Sequence, residues 1–182
     1  LILTGCGGAP EPTPAPDAAT PETLPTAEPG TVFWALDQAP DSLDPAQIFL
    51  PSEIQVGAQI FDRLVGYRPG TAQLAPGIAE NWEADLEGRS FTFTLRPGLT
   101  FHDGSPLDAR AVVWNFQRWS DPEHPFHRDD FLAWQALLET GESEGAPTGL
   151  VERVEALDAR TVRITLNTSF APFLHILALV PF

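Results

Sequence analysis

The stretch Ala75-Pro-Gly-Ile-Ala-Glu-Asn-Trp82 opens the most informative part of the chain, which runs on to Arg118. It continues through Ser90-Phe-Thr-Phe-Thr-Leu-Arg-Pro-Gly98, Phe101-His-Asp-Gly-Ser-Pro106 and Trp114-Asn-Phe-Gln-Arg118. Phe91, Phe93 and Leu95 alternate with Thr92 and Thr94, the period-2 pattern of a half-buried strand. With Trp82–Ala84 and the intervening Asp85-Leu-Glu-Gly88, this predicts a β-hairpin. Pro97-Gly98 and Asp103-Gly104 mark turns, and Phe101 is expected to continue the sheet. From Asp108, a suitable N-cap, the period becomes helical, with Ala109, Val112, Val113, Phe116 and Trp119 on one face.

Outward from this block the chain reads as alternating short elements. Thr31–Leu36 is a short apolar, β-rich run that predicts a strand covered on both faces. Ala39–Pro45 is a turn. Asp44, placed before Pro45, is pushed toward extended geometry, with a carboxylate free to accept local amide hydrogens. Pro51-Ser52 predicts a helix with Ser52 as N-cap and Ile54, Ala58, Phe61 and Val65 on one apolar face. Leu64–Tyr67 is a short strand. Downstream, Phe131–Leu138 is an amphipathic helix and Gly141–Gly149 a flexible acidic loop. Val151–Leu157 and Thr161–Leu166 form a second hairpin with Val162, Ile164 and Leu166 inward. Ala171–Leu174 begins a helix in which Pro172 suits an early position. The fold class is α+β, a small antiparallel or mixed sheet with flanking helices.

The chain has 182 residues, 43% of them apolar, with 12 Phe and 5 Trp, enough for one folded body with a tail. A net charge of −15 disfavours nucleic acid and anionic membrane surfaces as partners. The lone cysteine, Cys6, excludes an internal disulfide. It follows Leu1-Ile-Leu-Thr-Gly5, similar to the end of a bacterial lipoprotein signal, in which such a cysteine is acylated. Two or more acyl chains would anchor it stably. Residues 7–30 are rich in Pro, Ala, Thr and acid and lack the apolar surface to fold, so they read as a disordered, semi-stiff spacer. The chain contains no methionine and is expected to be a portion of a longer product.

Catalytic signatures are missing. No nucleophile–base spacing, phosphate-binding glycine loop, dinucleotide fingerprint or zinc motif is present, so no cofactor is expected. Asp41 and Asp44 could form a carboxylate pair, but a turn accounts for both. Glu80 has no partner spaced for acid–base work. His124, His127, Asp129 and Asp130 carry metal-ligand chemistry at a spacing that fits no ligand motif, with Pro125 interrupting any helix that would align the rings. No stretch reaches the apolar length of a spanning helix.

Several motifs together resemble the extracellular solute-binding proteins of peptide, nickel and oligopeptide ABC importers, family 5. They are Pro76-Gly77-Ile78-Ala79-Glu80-x-Trp82, the aromatic strand ending Leu95-Arg96, and Phe101-x-Asp103-Gly104. Ser42-Leu-Asp-Pro45, Val154-x-Ala156-Leu-Asp158 with Thr161-Val162, and the helix start at Ala171-Pro-Phe-Leu174 agree. Ala111 departs from the pattern, standing where the family usually has an acid. The resemblance spans residues 31–182 and implies part of the first lobe of a two-lobed periplasmic-binding-protein-like fold. It implies no enzyme, but capture of peptides or similar solutes and delivery to a membrane permease. It places the apolar loop holding Ile48, Phe49 and Leu50 at the ligand cleft, although these residues could equally pack beneath the body. It likewise presents the Phe126 ring to bound peptide, the alternative being a ring folded back on Trp119 or Trp134. The other function classes are a lipid-tethered secreted hydrolase and a structural or adhesive surface domain.

Overall fold

The computed structural model describes residues 30–138 and 149–179, with the backbone of 142–143 and 146–147 between them. Cys6 and nearly all of the spacer lie outside the described residues. Contacts divide the chain after Ala35, and the architecture below belongs to the unit from Leu36 onward.

Chain order is α1 (Pro51–Ile60), β1 (Val65–Tyr67), β2 (Leu74–Pro76), β3 (Ala79–Ala84), β4 (Ser90–Leu95), α2 (Ala109–Ser120) and α3 (Leu132–Leu138). Then follow β5 (Glu142–Ser143), β6 (Ala146–Pro147), β7 (Val151–Ala156), β8 (Thr161–Leu166) and α4 (Phe173–Leu177). The two predicted hairpins join through their inner strands into one antiparallel sheet of order β3-β4-β8-β7. Phe91 stands opposite Ile164 and Phe93 opposite Val162, so the bulky residues of both hairpins share one face. The other face carries Thr92 opposite Arg163 and Thr94 opposite Thr161.

The apolar face is the floor of the core. Phe93, Leu95, Val162, Ile164 and Leu166 are buried there with Ala109, Val112, Phe116 and Trp119 of α2 and Phe173 and Leu177 of α4. Helix α2 begins as expected: the Asp108 carboxylate accepts from the amides of Arg110 and Ala111. Helix α3 brings Trp134 edge-on to Phe116 and within 5.7 Å of Trp119.

The Pro-Gly-Ile-Ala-Glu-x-Trp motif is scaffold. Ile78 and Ala79 donate to the carbonyls of Arg63 and Leu64, binding the start of β3 to the segment before β1. Glu80 accepts from Arg160 Nη2 at 2.7 Å, while Arg160 Nε reaches the Leu95 carbonyl at 2.9 Å. This contact pins the turn of the second hairpin to the edge of the first.

Four expectations are corrected. Thr31–Leu36 forms no strand: its backbone makes no ladder bond among the described residues, and an extended apolar run is a strand only where a neighbour pairs with it. Ser52 is not the N-cap of α1; Leu50 holds that position and Ser52 lies inside the first turn. The buried face of α1 is Ser52, Glu53 and Gly57, while Ile54 is exposed. The helix is turned by Glu53, whose carboxylate is drawn back onto backbone amides. Phe101 lies outside the four-stranded sheet, in a separate loop closed by the bridge between Thr100 and Pro106. The acidic loop falls largely outside the described residues, apart from the short β5–β6 pair.

Candidate functional site

Two loops at the end of α2 carry the exposed rings Phe49 and Phe126. The first begins in a tightly bonded turn. Ser42 Oγ accepts from the Asp44 amide and donates to Gln47, and the Asp44 carboxylate accepts from the Ala46 amide. The Asp44 carbonyl accepts from Gln47 and Ile48. The loop then meets Glu53, whose Oε2 accepts from the Phe49 and Leu50 amides, both at 2.9 Å, and whose Oε1 accepts from Ser42. Glu53 is only 4% exposed. Burial alone would raise its pKa, but the backbone donors from Leu50, Phe49 and Ser42 outweigh that and hold it below its ordinary value.

A carboxylate with a depressed folded pKa stabilises the fold above its unfolded value of 4.5, and that contribution is lost as pH falls through the folded value. Glu53→Gln should therefore cost roughly 1.5–3 kcal/mol at pH 7, the worth of hydrogen bonds to a charged group. Urea titrations should show the gap between variant and wild type closing as pH drops below that unfolded value. A gap that stays constant down to strong acid would contradict the assignment.

Within this loop Ile48 is buried, 5% exposed, and a Cβ built on Gly57 would lie 2.6 Å from its Cδ1. Leu50 is half-buried. Phe49 is 58% exposed and is the ring of this loop that faces solvent.

The second loop follows α2. Asp121 caps it by accepting from the Glu123 amide, and its carbonyl accepts from the His124 amide. The Phe126 amide donates to His124 Nδ1 at 3.2 Å, and His127 Nδ1–H donates to the Arg118 carbonyl at 3.0 Å. Phe126 is 62% exposed. It packs neither on Trp119 nor on Trp134, but 5.8 Å from Trp114 and 6.1 Å from His124. Trp114 and His124 themselves meet edge-on at 5.1 Å. Trp114, exposed on α2, carried no signal in the sequence beyond lying off the apolar face.

Arg118 joins the two loops. Its guanidinium forks onto both oxygens of Asp44 and its Nε donates to the Phe126 carbonyl at 3.1 Å. Sequence reading named Arg118 only as the end of a motif. Its partner lies 74 residues away, a separation that local spacing cannot reveal.

Of the acids weighed for acid–base chemistry, Asp44 is held by Arg118 and the Ala46 amide, and Glu80 by Arg160. Among the described residues no cluster of three or more His, Cys, Asp or Glu could hold a metal ion. A separate cavity of about 480 Å³ lies between α1 and α2, lined by Ile60, Phe61, Ile78, Phe101, Val112 and Asn115. None of Ile48, Phe49, Leu50 or Phe126 lines it.

This mixed fold, a helix-backed antiparallel sheet, is shared with solved periplasmic binding proteins. The ABC transporter-associated periplasmic binding protein DppA of Helicobacter pylori, in complex with peptide STSA, superposes with a TM-score of 0.65 at 27% identity. That match covers 78% of this chain and 28% of the other. The family model for bacterial extracellular solute-binding proteins, family 5 (middle), matches residues 73–182, and the chain belongs to that family. Members of the family are binding proteins of transport systems, not enzymes.

Di/tripeptide-binding protein 4 of Pseudomonas aeruginosa is 40% identical over 66% of this chain and 23% of its own length. Heme-binding protein A of Haemophilus influenzae is 33% identical over 79% of this chain and 27% of its own length. The chain thus spans less than a third of the length of these relatives. Among the described residues no helix is long and apolar enough to cross a membrane.

Proposed function

We propose that this chain supplies part of the first lobe of a substrate-binding lipoprotein, which captures peptides or similar solutes outside the cytoplasm and delivers them to an ABC permease. The observation that carries it is the pair of exposed rings, Phe49 and Phe126, on loops whose backbones are locked by Glu53 and Arg118. Solvent-exposed aromatic side chains on a rigid frame suit a ligand that completes their burial. Phe49, Leu50 and Phe126 would meet the solute, with Ile48 supporting the loop from beneath. Relatives named for dipeptides and tripeptides favour peptide over other solutes. Closure of a second lobe would complete the cleft.

Residues 1–6 would be the end of a signal peptide with its acylated cysteine, 7–30 the spacer, and 31–182 the lobe. Lipidation predicts that Cys6→Ser releases the protein from the membrane fraction and abolishes labelling by radioactive palmitate. Equal membrane retention of the variant would remove the anchor from the reading.

Calorimetry on the full-length polypeptide should show micromolar binding of a mixed dipeptide pool, weakened about tenfold by Phe126→Ala, as for truncation of a central aromatic contact. Residues 1–182 alone should give no micromolar binding, because one lobe leaves the solute half exposed. Unchanged affinity in both Phe126→Ala and Phe49→Ala would overturn the assignment of these loops.

A further inference from the structure

We infer that Arg118 is a positioning residue that couples the two ring-bearing loops, so that Phe49 and Phe126 reach their places together. Its guanidinium is planar, so the directions of Nε and of the Nη pair are fixed relative to one another. The Nη atoms hold both oxygens of Asp44, and Nε holds the Phe126 carbonyl. Asp44 in turn sets the start of the first loop, through its carboxylate to Ala46 and its carbonyl to Gln47 and Ile48. On the other side, the Arg118 carbonyl receives His127 Nδ1–H, so residues 126 and 127 are both tied to this one residue.

The group is well held. The guanidinium carbon lies 4.6 Å from the centroid of the buried Phe131 ring, and the side chain is only 13% exposed. Phe131 also receives the edge of the His127 ring at 5.4 Å. A second link runs beside it, where the Ala133 amide donates to the Ala46 carbonyl. A lysine could replace the charge but could not serve the carboxylate and the carbonyl in one plane. Arg118 therefore acts on solute through the loops and need not touch it.

The coupling is tested without ligand, and its effect on affinity rests on the solute-binding reading above. Amide hydrogen exchange on the full-length polypeptide would compare wild type with Asp44→Asn, Arg118→Met and Arg118→Lys. A Val162→Ala variant, destabilised in the sheet core, controls for lower global stability. Asp44→Asn, a change on the first loop, should speed exchange about tenfold at residues 124–128 as well as 46–50, within the range of coupling between contacting residues. Arg118→Lys should recover thermal stability without recovering that protection, and Val162→Ala should not reproduce the paired pattern. Faster exchange confined to 46–50 in Asp44→Asn would overturn the coupling.

Titration of alanyl-phenylalanine then reads the consequence. Arg118→Met should weaken binding about tenfold in the wild-type background and less than threefold when Phe126 is already alanine. Additive losses would show that Arg118 does not act through Phe126. If the wild-type protein binds no dipeptide, the solute reading fails, while the exchange data still decide the coupling.

Discussion

Replacing Gly77 with alanine is expected to destabilise the protein by at least about 3 kcal/mol, the upper end of overpacking costs. A Cβ at this position would stand 2.1 Å from the Arg63 carbonyl oxygen and 2.9 Å from that of Leu64. Those oxygens are backbone, and they accept from Ile78 and Ala79 immediately downstream, so neither strand can move aside without losing bonds. The glycine is required here by close approach, its own φ being ordinary for any residue. Gly66, where an added Cβ meets nothing within 4 Å, is the control, and Gly66→Ala should change stability by less than about 1 kcal/mol. Urea denaturation midpoints of the two variants decide the matter. A wild-type midpoint for Gly77→Ala would mean that the Pro-Gly-Ile-Ala-Glu motif is not packed as described.

Phe93→Ala should cost about 3–5 kcal/mol, the range for removing a fully buried aromatic side chain. Phe93 is wholly buried at the middle of β4, opposite Trp82 on one side and Val162 on the other. Its removal would open a cavity where the sheet meets the helices, and the central strands have little freedom to close it. Thr92→Ala, on the opposite face of the same strand, should cost less than about 1 kcal/mol. Comparable losses for the two substitutions, measured by denaturant unfolding, would show that the face assignment is wrong.

These two effects mark what the sequence made legible. The alternation around Phe93 and Val162 exposed both hairpins, because a one-residue change of register would turn their phenylalanines and valines out of the core. Asp108 announced α2 because a cap acts within three residues. The pairing of β4 with β8 was not legible, since either hairpin satisfies its own period without the other. The face of α1 was misread for a similar reason. Ile54, Ala58 and Phe61 keep helical spacing, yet the burial of Glu53 depends on Ser42, Phe49 and Leu50, and periodicity carries no record of those amides. Thr31–Leu36 has strand composition without a strand partner among the described residues.

The site divides in the same way. Phe126 was marked only by the family resemblance, and its ring lies exposed beside Trp114 and His124, not folded back on Trp119 or Trp134. In the loop from Ile48 to Leu50, the structure separates one outward ring, Phe49, from a buried Ile48. Arg118 could not be singled out beforehand, because its role comes from a partner across the fold. The motif block from Ala75 to Arg118 therefore identifies the family mainly through residues that build the fold, while Trp114 meets the second loop and Arg118 reaches both.

The central claim is that solute lies against these two loops. Photo-crosslinking tests it most directly, with the full-length polypeptide and a dipeptide carrying p-benzoylphenylalanine, and unlabelled dipeptide as competitor. Adducts mapped by mass spectrometry should fall within residues 46–50 and 122–127 and vanish on competition. Competable adducts found only elsewhere, such as beside Phe101 in the separate cavity, or no competable labelling at all, would contradict it.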